Sequence, residues 1–166
     1  MQLTFRSAGL TDLGDVWDLV SSAIIHMIKQ NIMQWDELYP TKEDLQTDIE
    51  KKQLYVGFDE GRLAAIYVLN QECELEYSDG NWQYPELPYY IIHRLCVHPA
   101  YQHQGIAKQT LLYIEEDLKA SGIHAIRLDV FSQNPFALKL YEGMGYARTG
   151  HAEWRKGLFY LMEKYF

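Results

Sequence analysis

The chain is short of cysteine, of basic charge and of long apolar runs, and each shortage excludes something. It has two cysteines, Cys73 and Cys96, in 166 residues. Two thiols make no disulfide framework, so a cross-linked secreted scaffold is excluded; buried free thiols fit a reducing cytoplasm. No apolar run approaches the roughly 20 residues of a membrane span. The opening Met1-Gln-Leu-Thr-Phe-Arg6 has no apolar stretch after a basic start, so no signal peptide is expected. Lys and Arg number 15 against 23 Asp and Glu, for a formal net charge of −8. Binding to nucleic acid needs clustered cations, and that balance argues against it. A cationic partner, such as a small amine or a Lys-bearing peptide, suits the charge better. Length and the absence of repeats or low-complexity segments imply one domain over residues 1–166.

What is there is most informative from Arg94 to Lys108. A β-favouring run, Tyr89 to Val97, stops at His98-Pro99, and the polar loop Gln102-His103-Gln104-Gly105 follows. Ala107, Leu111, Ile114 and Leu118 then recur at helical steps. A strand therefore feeds a tight loop, and the loop feeds a helix N-terminus. Unpaired backbone N–H groups and the positive dipole end there can hold a pyrophosphate. Gly105 has no Cβ and lets the backbone approach a ligand.

Around this segment the elements alternate. Residues 2–6 alternate like a strand, and Thr11-Asp12 starts a long amphipathic helix through Ile28. Thr41 and Asp44 form a capping box for a second helix over 42–52. Leu54 to Phe58 and Arg62 to Leu69 make a hairpin around Asp59-Glu60-Gly61. Residues 72–88 are a polar excursion long enough to wall an active site. Ile126, Leu128 and Val130 mark another strand. Asn134-Pro135 caps a helix to 143, and strands at 146–153 and 157–166 close the chain. The order argues for an α/β layer structure with a mixed sheet.

A second segment, Asn134-Pro-Phe-Ala-Leu-Lys-Leu-Tyr141-Glu-Gly-Met-Gly145-Tyr146, joins the first. Together with Gln102-His-Gln-Gly105-Ile-Ala107 it resembles the GNAT superfamily of N-acetyltransferases. The element order resembles that family over nearly the whole chain. The resemblance implies a mixed, mostly antiparallel central sheet, splayed between its fourth and fifth strands and flanked by about four helices. It implies an acetyl-CoA-dependent N-acetyltransferase that moves acetyl to a primary amine by direct attack in a ternary complex. A non-catalytic acyl-CoA-sensing module of the same fold is the alternative. The resemblance leaves room for a homodimer and leaves the acceptor unnamed.

By the same resemblance, Gln102, His103, Gln104, Gly105, Ile106, Ala107 and Lys108 hold the CoA pyrophosphate. Leu95, Cys96 and Val97 border the pantetheine through the strand backbone, and Asn134 and Ala137 meet it from the later helix. Tyr141 is the general acid near the thioester sulfur. Many relatives carry a Glu base where this chain has Ile91. His93-Arg-Leu-Cys-Val-His98 is similar instead to the His-x-Leu-x-Val-His run of arylalkylamine N-acetyltransferases, and strand parity puts His93 on the face of Leu95 and Val97. Trp35 and Glu37, between the first two helices, are acceptor contacts in this reading. Each also has a plainer role: Tyr141 as packing, His93 as a hydrogen-bonded core residue, Trp35 as a helix-end plug. Cys96, His98 and His103 lack paired ligand spacing, so no metal is expected.

Overall fold

A computed structural model describes residues 2–166. The described residues form seven strands and four α-helices. In chain order these are β1 (Thr4–Ser7), α1 (Leu13–Lys29), α2 (Lys42–Glu50), β2 (Leu54–Asp59), β3 (Arg62–Asn70), β4 (Tyr89–Val97), α3 (Ile106–Ala120), β5 (Ala125–Phe131), α4 (Pro135–Gly143), β6 (Ala147–Trp154) and β7 (Gly157–Tyr165). The strands hydrogen-bond in the order β1-β2-β3-β4-β5-β7-β6. The sheet is mixed and mostly antiparallel, with β4 and β5 parallel. The chain divides into two compact units, residues 1–69 with 94–110 and residues 70–93 with 111–166.

In the first unit, β1, β2 and β3 pair antiparallel. Glu60 and Gly61, both left-handed (φ 47 and 83), close the β2–β3 hairpin. One sheet face packs Leu54, Val56, Ile66, Val68 and Cys96 against Val16, Leu19, Val20 and Ala23 of α1 and Leu45 and Ile49 of α2. On a second cluster Leu3, Ala64, Ala65 and Ile106 meet, with Val97 and Tyr101 against them. The capping box of α2 is complete: Thr41 Oγ1 accepts from the Asp44 amide at 3.1 Å and Asp44 Oδ2 from the Thr41 amide at 2.8 Å.

In the second unit, β4 pairs with β5 at Tyr89, Tyr90 and Ile91 against Ala125, Ile126 and Arg127, and the pairing goes no further. This is the expected splay. From Ala125 to Phe131, β5 pairs instead with β7. The excursion after β3 carries a 3-10 turn at Leu75–Asp79. Few apolar residues hold it, so polar contacts do. The Gln83 amide donates to Glu163 at 2.7 Å, the Asn81 amide to Thr149 O at 2.7 Å, and Trp82 Nε1 to Tyr77 O at 2.7 Å. The Arg127 guanidinium lies 4.2 Å from the Trp82 ring centroid and 3.7 Å from that of Tyr89. Tyr77, Ile91, Ala152 and Leu161 form the core beneath.

Candidate active site

The first unit carries the expected cofactor loop. Val97 packs with Ile106 and Ala64, while Cys96 packs with the α1–α2 core, so the two point to opposite faces. Burial pushes the Cys96 thiol up to about 12. It is therefore no thiolate nucleophile at neutral pH, and only its backbone can border a ligand. After the strand, the His98 amide donates to Ala64 O at 2.8 Å, and His98 Nδ1 accepts from the Ala100 amide at 3.0 Å. Gln102 Nε2 donates back to Val97 O at 3.2 Å, and Gln104 Nε2 to Ala100 O at 3.2 Å. These side chains brace the loop and present its backbone.

His103 and Gly105 are left-handed, with φ of 62 and 76. A Cβ at Gly105 would meet no atom within 4 Å. The glycine is thus required by backbone angle, and the space beside it is open. From Ile106 onward the first-turn amides of α3 lack intrahelical acceptors, so Ile106, Ala107 and Lys108 present an anion-binding end. This fits a pyrophosphate.

Of the two acceptor contacts expected here, Trp35 is 8% exposed and packs in the α1–α2 core. Glu37 is exposed, in a turn closed by paired backbone bonds between Asp36 and Tyr39. Beside it Tyr39 packs against the Arg94 guanidinium, 5.1 Å from its centroid, and Arg94 Nη1 donates to Asp48 at 2.7 Å. An open groove of about 330 Å³ in this unit, bounded by Asp15, Asp18, Arg62 and Tyr101, is lined by none of the expected site residues.

The residues expected to handle protons, His93 and Tyr141, fall in the second unit. His93 Nε2 is 2.9 Å from Asn70 Oδ1 and 2.9 Å from Glu72 O. Both partners accept, since Asn70 Oδ1 already takes the Glu72 amide at 2.9 Å. The ring proton therefore sits on Nε2, and Nδ1 is the basic nitrogen. The parity argument for His93 needs correction. Arg94 is left-handed, φ 51, and interrupts the alternation between His93 and Leu95. The hydrogen bonds, not strand parity, define where the ring lies.

Asn134 caps α4, its Oδ1 accepting from the Ala137 amide at 3.1 Å. Any ligand contact from its side chain would use the amide NH₂, and the Ala137 amide is occupied by the cap. Tyr141 is 8% exposed and meets Tyr146 edge-on, with centroids 5.7 Å apart. Burial, and then the charge of Asp129, push its phenol far above the usual value. Tyr141 thus keeps its proton at any physiological pH, as an acid must before it acts.

The structure adds two residues that sequence reasoning missed. Asp129, in the middle of β5, accepts from Tyr77 OH at 2.7 Å. Burial raises its carboxyl to about 6; the Tyr77 bond opposes that rise and Glu74 adds to it. A lone carboxylate between Leu128 and Val130 was visible in the sequence. Its phenol partner, 52 residues away, was not. No group of three or more His, Cys, Asp or Glu that could hold a metal occurs among the described residues. Nor is any described helix long and apolar enough to cross a membrane.

A family model described as acetyltransferase (GNAT) family matches residues 24–146. The chain belongs to this family, whose acyl donor is acetyl-CoA. It is 22% identical over 153 residues, 89% of this chain and 81% of the relative, to the L-methionine sulfoximine/L-methionine sulfone acetyltransferase of Salmonella typhimurium. A shorter match, 42% over 52 residues, covers 31% of this chain and 36% of the ribosomal protein bS18-alanine N-acetyltransferase of Haemophilus ducreyi. Among solved structures, a GNAT family acetyltransferase from Streptococcus agalactiae has a TM-score of 0.87 at 20% identity, over 99% of this chain and 95% of that one. The PaiA N-acetyltransferase of Thermoplasma acidophilum, solved with coenzyme A, has a TM-score of 0.73 at 21% identity over 100% of both chains. These two structural likenesses concern the fold.

Proposed function

We propose that the chain is a cytoplasmic N-acetyltransferase, a single domain over residues 1–166, that moves acetyl from acetyl-CoA to a primary amine by direct attack in a ternary complex. The observation that carries this reading is the open, left-handed Gly105 at the N-terminus of α3. A left-handed glycine beside open space at a helix N-terminus suits the cofactor's pyrophosphate. Bound there, the cofactor supplies an acyl thioester. The backbone of Leu95 to Val97 then offers N–H groups to the pantetheine arm and to the carbonyl oxygen, where negative charge builds during attack. Tyr141 delivers its proton to the leaving sulfur. His93, through Nδ1, takes part in removing the proton of the acceptor ammonium. Glu37 faces the acceptor from the α1–α2 connection.

The names of the relatives point to two acceptor classes, a methionine derivative and an alanine of a ribosomal protein. Net negative charge supports an acceptor that arrives as a cation. The alternative, an acyl-CoA sensor without turnover, has no need of the protonated, buried Tyr141. A CoA-release screen over L-methionine sulfone, tryptamine, spermidine and an alanine-starting peptide, with mass detection of the acetylated product, tests the reading. Binding of acetyl-CoA without release on any amine would favour the sensor.

A further inference from the structure

We infer that Asp129, oriented by Tyr77, is the final proton acceptor for the amine, a role that rests on the acetyltransferase reading. Three features of the structure set Asp129 apart. It lies partly buried on a strand whose neighbours Leu128, Val130 and Phe131 are all buried. No cation pairs with it among the described residues. Arg127, two positions earlier on β5, is instead held by Trp82, Tyr89 and, at 3.9 Å, Glu163. Folded proteins rarely keep a carboxylate in such a place without a cation unless it has a task. Finally, its one hydrogen-bond donor is a phenol, Tyr77 OH at 2.7 Å, delivered by the 3-10 turn of the excursion.

The groups that face Asp129 are few. Tyr77 and Glu74 come from the excursion, and Tyr141 on α4 is close enough to feel its charge. Across the strand pair its register partner is Leu161. Tyr77 is itself pushed well above the usual phenol value, by burial first and by Asp129 next. It therefore stays a donor, and Asp129 stays the only proton acceptor of the pair. Burial tunes the carboxyl into the range where a base works near neutral pH.

The proton balance follows. The acceptor ammonium loses one proton to Asp129. Its nitrogen forms the C–N bond to the acyl carbon as the C–S bond breaks. Sulfur leaves with the proton of Tyr141, and the second nitrogen proton restores Tyr141. Asp129 then releases its proton to solvent, so each turnover yields amide, free thiol and one proton. Tyr77 touches no reacting atom in this scheme and is a positioning residue.

The test uses the full chain and the best acceptor of the amine panel. In the wild type, kcat/KM should rise with pH through an acid limb near 6 and then level off, because the acceptor is used as its ammonium. Asp129→Asn should lose at least tenfold at pH 7, lose that limb, and recover activity only as free amine accumulates. Tyr77→Phe should keep the limb but move it to higher pH, since the hydrogen bond that opposes the rise is gone. A carboxyl ¹³C titration of Asp129 should show the same upward move without any substrate. Acetyl-CoA affinity and melting temperature, measured alongside, should show both variants folded. A wild-type limb retained in Asp129→Asn, or a carboxyl titration unmoved in Tyr77→Phe, would overturn the inference and leave the acetyltransferase reading intact. Absence of turnover by the wild type on every amine would instead remove the reading beneath it.

Discussion

His93 Nε2 lies 2.9 Å from Asn70 Oδ1, an oxygen that the Glu72 amide also uses. One amide oxygen thereby sets the tautomer of the ring and ties it to the start of the excursion. His93→Gln keeps a donor for Asn70 but cannot titrate. It should depress kcat/KM near neutral pH and regain much of it at higher pH, where free amine is abundant. Normalised pH profiles that superimpose on wild type, with a lowered melting temperature, would leave His93 a structural residue.

Gly105 makes the sharpest test of the cofactor loop. Its φ of 76 disfavours any L side chain, and its Cβ direction is open. Gly105→Val should strain the turn and fill the anion's space at once. Calorimetry should show acetyl-CoA affinity down by tenfold or more. Unchanged affinity in a folded variant would remove the pyrophosphate from this helix end.

Tyr141→Phe deletes one oxygen and spares the edge-on contact with Tyr146. Turnover should fall by about 10²–10⁴-fold, the usual contribution of a general acid. Acetyl-CoA affinity should barely change. A fall of less than about threefold on a good amine would show that another group protonates the sulfur.

Asp129 also predicts a stability signature. Burial raises its folded pKa to about 6, above the value of roughly 3.9 expected unfolded. The folded state thus holds the proton more tightly. That stabilisation is fully present below about pH 3.9 and is lost as pH rises through about 6. Asp129→Asn removes the charge and still accepts from Tyr77. It should be more stable than wild type at pH 8, by on the order of 1–3 kcal/mol, with the gap closing toward pH 4. Urea titrations at the two pH values measure it. Equal stability at pH 8 would mean that the carboxylate is well solvated. A variant both steadier and slower is the expected trade at a functional site.

The sequence alone determined what depends on neighbours along the chain. Thr41 with Asp44, and Asn134 with Pro135, carry their helix starts in adjacent side chains, and both caps form as read. The run Tyr89 to Val97 is a strand over its full length because β-favouring residues fill it and His98-Pro99 stops it. Glycine at positions 61, 105, 122 and 145 marks backbone angles that few other residues take, and all four are left-handed. The family likeness rests on such local signals.

Only the tertiary structure decided the rest, because it depends on partners far apart in sequence. Trp35 lies in the connection between α1 and α2, and its packing against residues of both helices is not written in its neighbours along the chain. Arg94 breaks the strand alternation by turning left-handed, with its guanidinium held by Asp48 and Tyr39, 46 and 55 positions earlier. The polar stretch 72–88 has no periodicity to read, since Trp82 packs on Arg127 and Gln83 bonds Glu163. Asp129 is an ordinary acidic letter in a strand until Tyr77 reaches it. Its altered acidity comes from burial, which no spacing along one strand encodes.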